Sequence, residues 1–532
     1  MRSYPNSIAG RDVSAGQWVH VLRASALLDD PMGAIRLKRE LDRGTREASG
    51  DSRIAGRVAV TSVQHWEQAA AAAREAQRDW ARRPLTERLA LGDALHATFE
   101  SKVDEFVEVL VAEGHPRRLA LWEVAGVLQG LHPDTNAVLG EMLEVRRRAG
   151  DRDIRLVRKP DGVVALSPPQ NAAASNSLLG LSTLLAGNAI VVKAPRSGPL
   201  GVAWAWREVV IPVLAECGAP PGTANLICGA PREVLDHWIS SPDVDDLFYI
   251  GASGRGIELG DRATAAGKKA VLELSGNDGV LIWSDAEIDL AAQALVECFY
   301  GSSQICMVPK YAVVHPDVAE RLIEALIARL DQVRPGLPED ERALLTPVLK
   351  TAGFFDLLGE ATRAGATVRA GGERTDHKGV VDPAGVFLQP TVIDVRGLEL
   401  AERLRAVREE TFFPLLPIVV PEPAPDGELL ESMLRFVDGN PYGLRNSLWA
   451  RDPGVIDAFC ATVSNGGLLK VNDSHLGFAP TLPTHGGSGL TGGPFGEANY
   501  PALRTSRLQG ISIATDVTPR ERIFDTALPG GA

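Results

Sequence analysis

Cys306 stands in the run Gly301-Ser302-Ser303-Gln304-Ile305-Cys306-Met307, between an amphipathic stretch and the apolar segment Tyr311–Val314. A thiolate in a short connection with rigid flanks is suited to attack a carbonyl carbon. The small residues before it let the backbone approach a ligand closely. A free cysteine is also a small hydrophobe that is often simply buried, so this stretch alone leaves both readings open. Glu273 is the second candidate. It lies between Leu272 and Leu274 near the end of an apolar strand, Ala270–Leu274. A carboxyl enclosed by leucines holds its proton more tightly, which suits a general base. Its competing placement is a sheet edge facing solvent.

Other polar residues also fall at strand ends. Pro168-Pro169-Gln170-Asn171 follows Val163–Leu166, and Lys193-Ala194-Pro195-Arg196 closes Ala189–Val192. Asp246–Ile250 leads into Gly251-Ala252-Ser253-Gly254-Arg255-Gly256, which opens a helix. Backbone N–H groups at such a helix start attract phosphate. The glycine order departs from the usual dinucleotide fingerprint, and short glycine turns also serve only to relieve backbone strain.

These residues need a scaffold, and the pattern supplies one. From Gly162 to Leu274 the strands above, with Ala224–Cys228, alternate with helical stretches such as Ser177–Ala186 and Leu200–Glu216. This alternation predicts a parallel sheet covered by helices, with ligands at the carboxyl ends of its strands. Residues 1–60 read as irregular, with short β-like pieces such as Trp18–Val21. Ser62 is placed to cap a helix ending near Trp80, and Thr86 to cap one with Leu91, Leu95 and Phe99 on one stripe. The arginine-rich segment 146–159 alternates like a projecting strand that seeks a partner, although a charge run is also a common solvated face. Ser284 and Glu287 form a capping box for a helix with Ile288, Ala292, Leu295 and Phe299 on one side; Cys298 within it reads as core. Strand Tyr311–Val314 and helix Val318–Leu330 begin a second alternation that runs to about residue 475. Glu409–Pro414 is an acidic-aromatic turn, and His485–Gly493 is glycine-dense enough to be only a flexible loop. Ser506–Ile513 reads as a last strand with a loose tail after it.

The bulk properties narrow the class. A chain of 532 residues holds more than one domain or one large α/β unit. Its net charge of −13 argues against a nucleic-acid partner. Five dispersed cysteines without a CxxC pair fit a reducing compartment, and the ten histidines show no metal-ligand spacing. The polar opening Met1–Asn6 is unlike a secretory leader. The apolar run 178–192 is broken at Gly187-Asn188 and too short to span a bilayer, so a cytoplasmic protein with no membrane partner is expected.

Taken in order, the Asn171 turn, the Lys193 strand end, the 251–256 turn, Glu273, the Gln304-Ile305-Cys306 loop and Glu410-Thr411-Phe412 resemble the aldehyde dehydrogenase superfamily over roughly residues 55–515. The resemblance implies an α/β fold. A Rossmann-like dinucleotide-binding domain would take 1–141 and 161–274, and an α/β catalytic domain 275–497. A β oligomerisation arm would take 142–160 and 498–516, with a tail over 517–532. It implies an NAD(P)-dependent enzyme that oxidises an aldehyde to a carboxylic acid. Cys306 would be the nucleophile, Asn171 the oxyanion donor and Glu273 the base that activates water. It also implies cofactor contacts at Lys193, Gly251, Gly256, Leu274, Glu410 and Phe412, and a homodimer or homotetramer. Arg196 stands where NAD-preferring members often carry a glutamate, so NADP is expected to be at least tolerated. Gln170, Ser275 and Phe413 depart from the usual residues. A coenzyme A-acylating dehydrogenase, which often lacks a glutamate at position 273, and a silent binding protein on the same fold are the alternatives.

Overall fold

The computed structural model describes residues 1–48, 50–150, 152–482, 485–493 and 500–514. Among these, two seven-stranded sheets carry the molecule. The first runs Lys269–Glu273, Asp246–Ile250, Val163–Ser167, Ala189–Ala194, Ala224–Cys228, Asn6–Ile8 and Arg11–Val13. Its first five strands are mutually parallel, as the alternating pattern predicts. Every residue of the three central ones is buried, which is why they read as near-continuous apolar runs. The last two strands form an antiparallel hairpin on the sheet's edge.

The second sheet runs Thr367–Ala370, Thr391–Arg396, Leu415–Val420, Pro309–Val314, Asp278–Ile282, Arg445–Trp449 and Leu468–Val471. It is parallel except at its first strand. Helix Val63–Trp80 buries Trp66, Ala69, Ala70, Ala73, Ala76 and Trp80, a stripe of small residues flanked by two indoles. No helix among the described residues is long and apolar enough to cross a membrane.

Several local expectations change. Residues 1–48 and 50–60 hold regular elements: strands Arg2–Tyr4, Ile54–Ala59 and Trp18–Leu22 form a small sheet. Helix Pro31–Asp42 follows it, capped by Asp30, whose carboxylate accepts the Gly33 N–H at 2.9 Å. The helix assigned to Thr86 begins at Leu85 after Pro84, so Thr86 lies inside its first turn; Leu91, Leu95 and Phe99 are fully buried as expected. Ser284 caps nothing. Its neighbour Asp285 accepts the N–H groups of Arg451 and Asp452, the chain turns there, and the helix starts at Ile288 with Glu287 as its cap.

A three-stranded antiparallel sheet of Glu144–Ala149, Arg152–Pro160 and Ser506–Ala514 projects from this body, with Ser506 opposite Pro160 and Ala514 opposite Arg152. Its Leu156, Leu508 and Ile513 are exposed. The tail expected over 517–532 lies outside the described residues. The arm is tied to the first sheet through the turn at Gly187-Asn188. Asn188 Nδ2 donates to the Thr183 and Thr505 carbonyls and to Thr505 Oγ1, and its Oδ1 accepts the Gly162 N–H. Replacing Asn188 with Leu strands these buried groups and is expected to cost on the order of 3 kcal/mol. The check is the thermal unfolding midpoint by circular dichroism; an unchanged midpoint would show that the network contributes nothing.

Candidate active site

The carboxyl ends of the first sheet face the Cys306 loop across a cleft of about 1730 Å³. Asn171, Lys193, Arg196, Gly251, Glu273, Leu274, Cys306, Glu410 and Phe412 all line it. Gly256 does not. It lies beneath, where a Cβ would come within 2.1 Å of Leu274 Cδ2, so its lack of a side chain lets the helix pack on the neighbouring strand end. This is a packing requirement rather than a contact with the cleft.

The approach to Cys306 is unusual backbone. Gly301, Ser302 and Ser303 have φ of 61°, 55° and 60°, the left-handed region, which costs a serine about 1–2 kcal/mol. The turn is held from outside. Gly301 N–H donates to the Leu344 carbonyl, Ser302 Oγ to the Thr346 carbonyl, and Gln304 Nε2 to Thr346 Oγ1 and the Pro347 carbonyl. From below, buried Lys310 donates to the carbonyls of Ser303 at 2.7 Å and Thr411 at 2.9 Å. Gly276 completes the support, since a Cβ there would stand 2.3 Å from the Cys306 carbonyl oxygen. Burial pushes the Cys306 thiol pKa up, and the charges of Glu273, Glu410 and Asp278 push the same way against Lys310.

Glu273 ends the first strand of its sheet, yet it is fully buried, which removes the solvent-facing placement. Its Oε2 accepts the Gly486 N–H at 2.8 Å, and its Oε1 has no hydrogen-bond partner among the described residues. Burial pushes its pKa up to about 8, opposed by the Gly486 bond and by Arg445. The glycine-dense stretch is therefore more than a loose loop. Leu274 N–H donates to the Thr491 carbonyl, and Thr491 Oγ1 donates to the Ser275 carbonyl. Asn171 Nδ2 donates to the Gln304 carbonyl at 2.9 Å, which sets its amide two residues from the cysteine.

A thiol, a buried carboxyl and an amide thus share one cleft beside a helix N-terminus. A model of the aldehyde dehydrogenase family matches residues 45–503. The chain belongs to the aldehyde dehydrogenase family. It is 26% identical to a vanillin dehydrogenase of Pseudomonas fluorescens, covering 86% of this chain and 92% of that one. It is also 26% identical to an NAD(+) benzaldehyde dehydrogenase of Pseudomonas putida, over 84% and 88% of the two chains. Among solved structures, an NAD-dependent aldehyde dehydrogenase from Sinorhizobium meliloti superposes with a TM-score of 0.79 at 20% identity, covering 98% of this chain and 96% of that one.

As an aldehyde dehydrogenase, the chain is an NAD(P)-dependent oxidoreductase acting on aldehydes, and its cleft can be tested for the dinucleotide. Helix Ser253–Ala265 starts after Ala252 with no side-chain cap, so its first N–H groups remain open to a phosphate. Lys193 is buried at the strand end, with its pKa pushed down to about 8 by desolvation. Arg196 is exposed on the rim, and Arg255 pairs with Glu258 at 2.7 Å. Glu410 Oε1 accepts the Gly276 N–H at 2.8 Å, and Phe412 lies 5.1 Å from Lys310 Nζ. These residues fit a dinucleotide. Among the described residues no cluster of His, Cys, Asp or Glu could hold a metal ion.

Four buried ionisable residues around the family site escape a motif search. Arg445 and Asp278 open apolar strands, Lys310 is the second residue of another, and His475 follows a polar turn. The signal that marks them is a charge inside a run otherwise apolar enough to be core.

Proposed function

We propose that this enzyme oxidises an aldehyde to a carboxylic acid through a covalent intermediate on Cys306, with water activated by Glu273. The observation that carries the reading is the shared cleft of Cys306, Glu273 and Asn171. There Glu273 presents one oxygen without a partner among the described residues. The sulfur adds to the aldehyde carbon to give a thiohemiacetal, and the second N–H of the Asn171 amide and the Cys306 backbone N–H receive the oxygen that becomes negative. A bound nicotinamide ring would accept the hydride from that carbon, leaving a thioester on Cys306. Glu273 then takes a proton from water, the hydroxide adds to the thioester, and the sulfur leaves as the acid forms. In this reading the sheet of residues 163–273 holds the dinucleotide and that of 278–471 positions the thiol.

The finer assignments concern cofactor and substrate. Arg196 on the rim offers a guanidinium to a 2′-phosphate, so NADP is accepted alongside NAD. Trp122 packs in the apolar cluster that includes Cys306, and it stacks on Phe478 with ring centroids 5.5 Å apart and planes 18° from parallel. Both rings line the cleft. They favour an aromatic aldehyde, the class named for the vanillin and benzaldehyde relatives.

Four measurements test these points. Cys306→Ala is expected to abolish benzaldehyde-dependent NAD(P)H formation. Glu273→Gln should keep a first-turnover burst and lose steady-state turnover, and a normal steady state would remove Glu273 from the mechanism. Arg196→Glu should lower the NADP-to-NAD ratio of kcat/KM on the order of ten-fold; an unchanged ratio rejects the 2′-phosphate contact. Trp122→Ala should lower kcat/KM for benzaldehyde about ten-fold more than for butanal, and equal losses would argue against an aromatic slot.

A further inference from the structure

Helix Arg117–Leu131 carries a glycine in its interior, at position 126, on the face that lines the cleft. Glycine is the least favourable helix-interior residue after proline, so its place there needs a reason in packing. Phe478 supplies that reason. A Cβ on Gly126 would stand 2.5 Å from Phe478 Cζ, 2.8 Å from its Cε1 and 3.2 Å from its Cε2. All three atoms belong to the outer edge of the ring, so the phenyl group rests directly on the helix backbone. Trp122 lies one turn earlier on the same helix face, and its indole stacks on the same ring.

The ring is not free to retreat with its backbone, because the residues before it are tied down on several sides. Buried Glu297 accepts the Leu476 N–H at 2.9 Å and the Ser474 hydroxyl. Buried Lys470 donates to the Ser474 carbonyl and, at 2.7 Å, to the Gly477 carbonyl. Trp122 Nε1 donates to the Leu476 carbonyl at 3.3 Å, so the indole that stacks on the ring also holds the loop that carries it. Leu476 in turn shares an apolar cluster with Trp122, Met307 and Cys306. Gly126 and Phe478 both line the cleft. A ring lifted off the helix at 126 therefore moves into the space that leads to the thiol.

We propose that Gly126 is a positioning residue that sets the width of the aldehyde passage. By lacking a side chain it seats the Phe478 ring against the helix and keeps the space beside the Trp122–Phe478 pair wide enough for a ring-bearing substrate. This rests on the reading of that pair as the wall that favours an aromatic aldehyde. A methyl group at 126 tilts the phenyl ring outward, because the pinned loop leaves it no other way to relieve the overlap. The narrowed passage excludes a flat ring more than a slim, unbranched chain. Gly126 acts on the substrate only through Phe478, so its effect depends on that ring being present.

The readout is the ratio of kcat/KM for benzaldehyde to that for butanal, at saturating NAD, in the unaltered enzyme and in variants checked for folding by thermal unfolding. Gly126→Ala should lower the ratio about ten-fold. Phe478→Ala should also lower it, and the double variant should match Phe478→Ala, because the added methyl then meets no ring. A structural role alone would lower kcat/KM for both aldehydes alike and leave the ratio where it was. An unchanged or raised ratio in Gly126→Ala overturns the proposal, and so does a double variant whose ratio differs from that of Phe478→Ala. Where Gly126→Ala does not fold, the double variant decides: a folded protein with the ratio of Phe478→Ala supports the proposal, and failure to fold or any other ratio overturns it. Phe478→Ala separates the two readings. If it does not lower the ratio, the ring is no wall for an aromatic aldehyde, and this proposal falls with that reading. If it lowers the ratio while Gly126→Ala does not, only the role of Gly126 is wrong.

Discussion

A carboxyl group sealed from water, with a single backbone donor on one oxygen, is the constraint around which the rest of this structure is arranged. Burial of Glu273 needs Gly486 to come within hydrogen-bond reach from the far end of the chain. That approach in turn needs a strip without side chains. A Cβ on Gly487 would sit 1.6 Å from the Gly443 carbonyl oxygen, and Gly487 has φ of 128°. Glycine density between 485 and 493 follows from this crowding. The electrostatic setting follows too, since an ionisable group out of water takes its proton affinity from whatever charges stand nearby.

The thiol side shows the same economy in backbone terms. Two serines in left-handed conformation just before Cys306 would relax if left alone. Leu344 and Thr346 from a neighbouring loop and Lys310 from the second sheet bond the turn from outside, so the strained shape is held by its surroundings rather than by the loop alone. Cleft walls built in this way present sulfur, carboxyl and amide to one space, the arrangement that electrostatic and orientational catalysis requires.

Much of this was readable from residue order. Fully buried parallel strands leave long apolar runs, so the strands at 163, 189, 224 and 246 were delimited almost to the residue, and the polar residues after them fell on the cleft. Caps were read less well. Thr86 and Ser284 have the right chemistry, but Pro84 and the Asp285 turn decide where those helices start. The helix at 31–42 was missed because its apolar stripe is short and the flanking segments are irregular. Gly256 illustrates a different limit: a glycine required for packing and one required for ligand approach look alike in a sequence. Arg445, Asp278 and His475 were invisible because they come from strands and loops far apart in the chain, and only tertiary contact joins their polar groups into a network.

The contact between Gly486 and Glu273 joins positions 213 residues apart, and strand Ser506–Ala514 pairs with Arg152–Pro160. Domains emerging from a ribosome tend to fold as they appear, N-terminal portions first. Here the first sheet can assemble while synthesis continues, whereas the backbone donor to the carboxyl at its edge arrives only near the end of the polypeptide. Chemical competence therefore arrives last. A chain that stops short of residue 486 lacks the one backbone donor to Glu273.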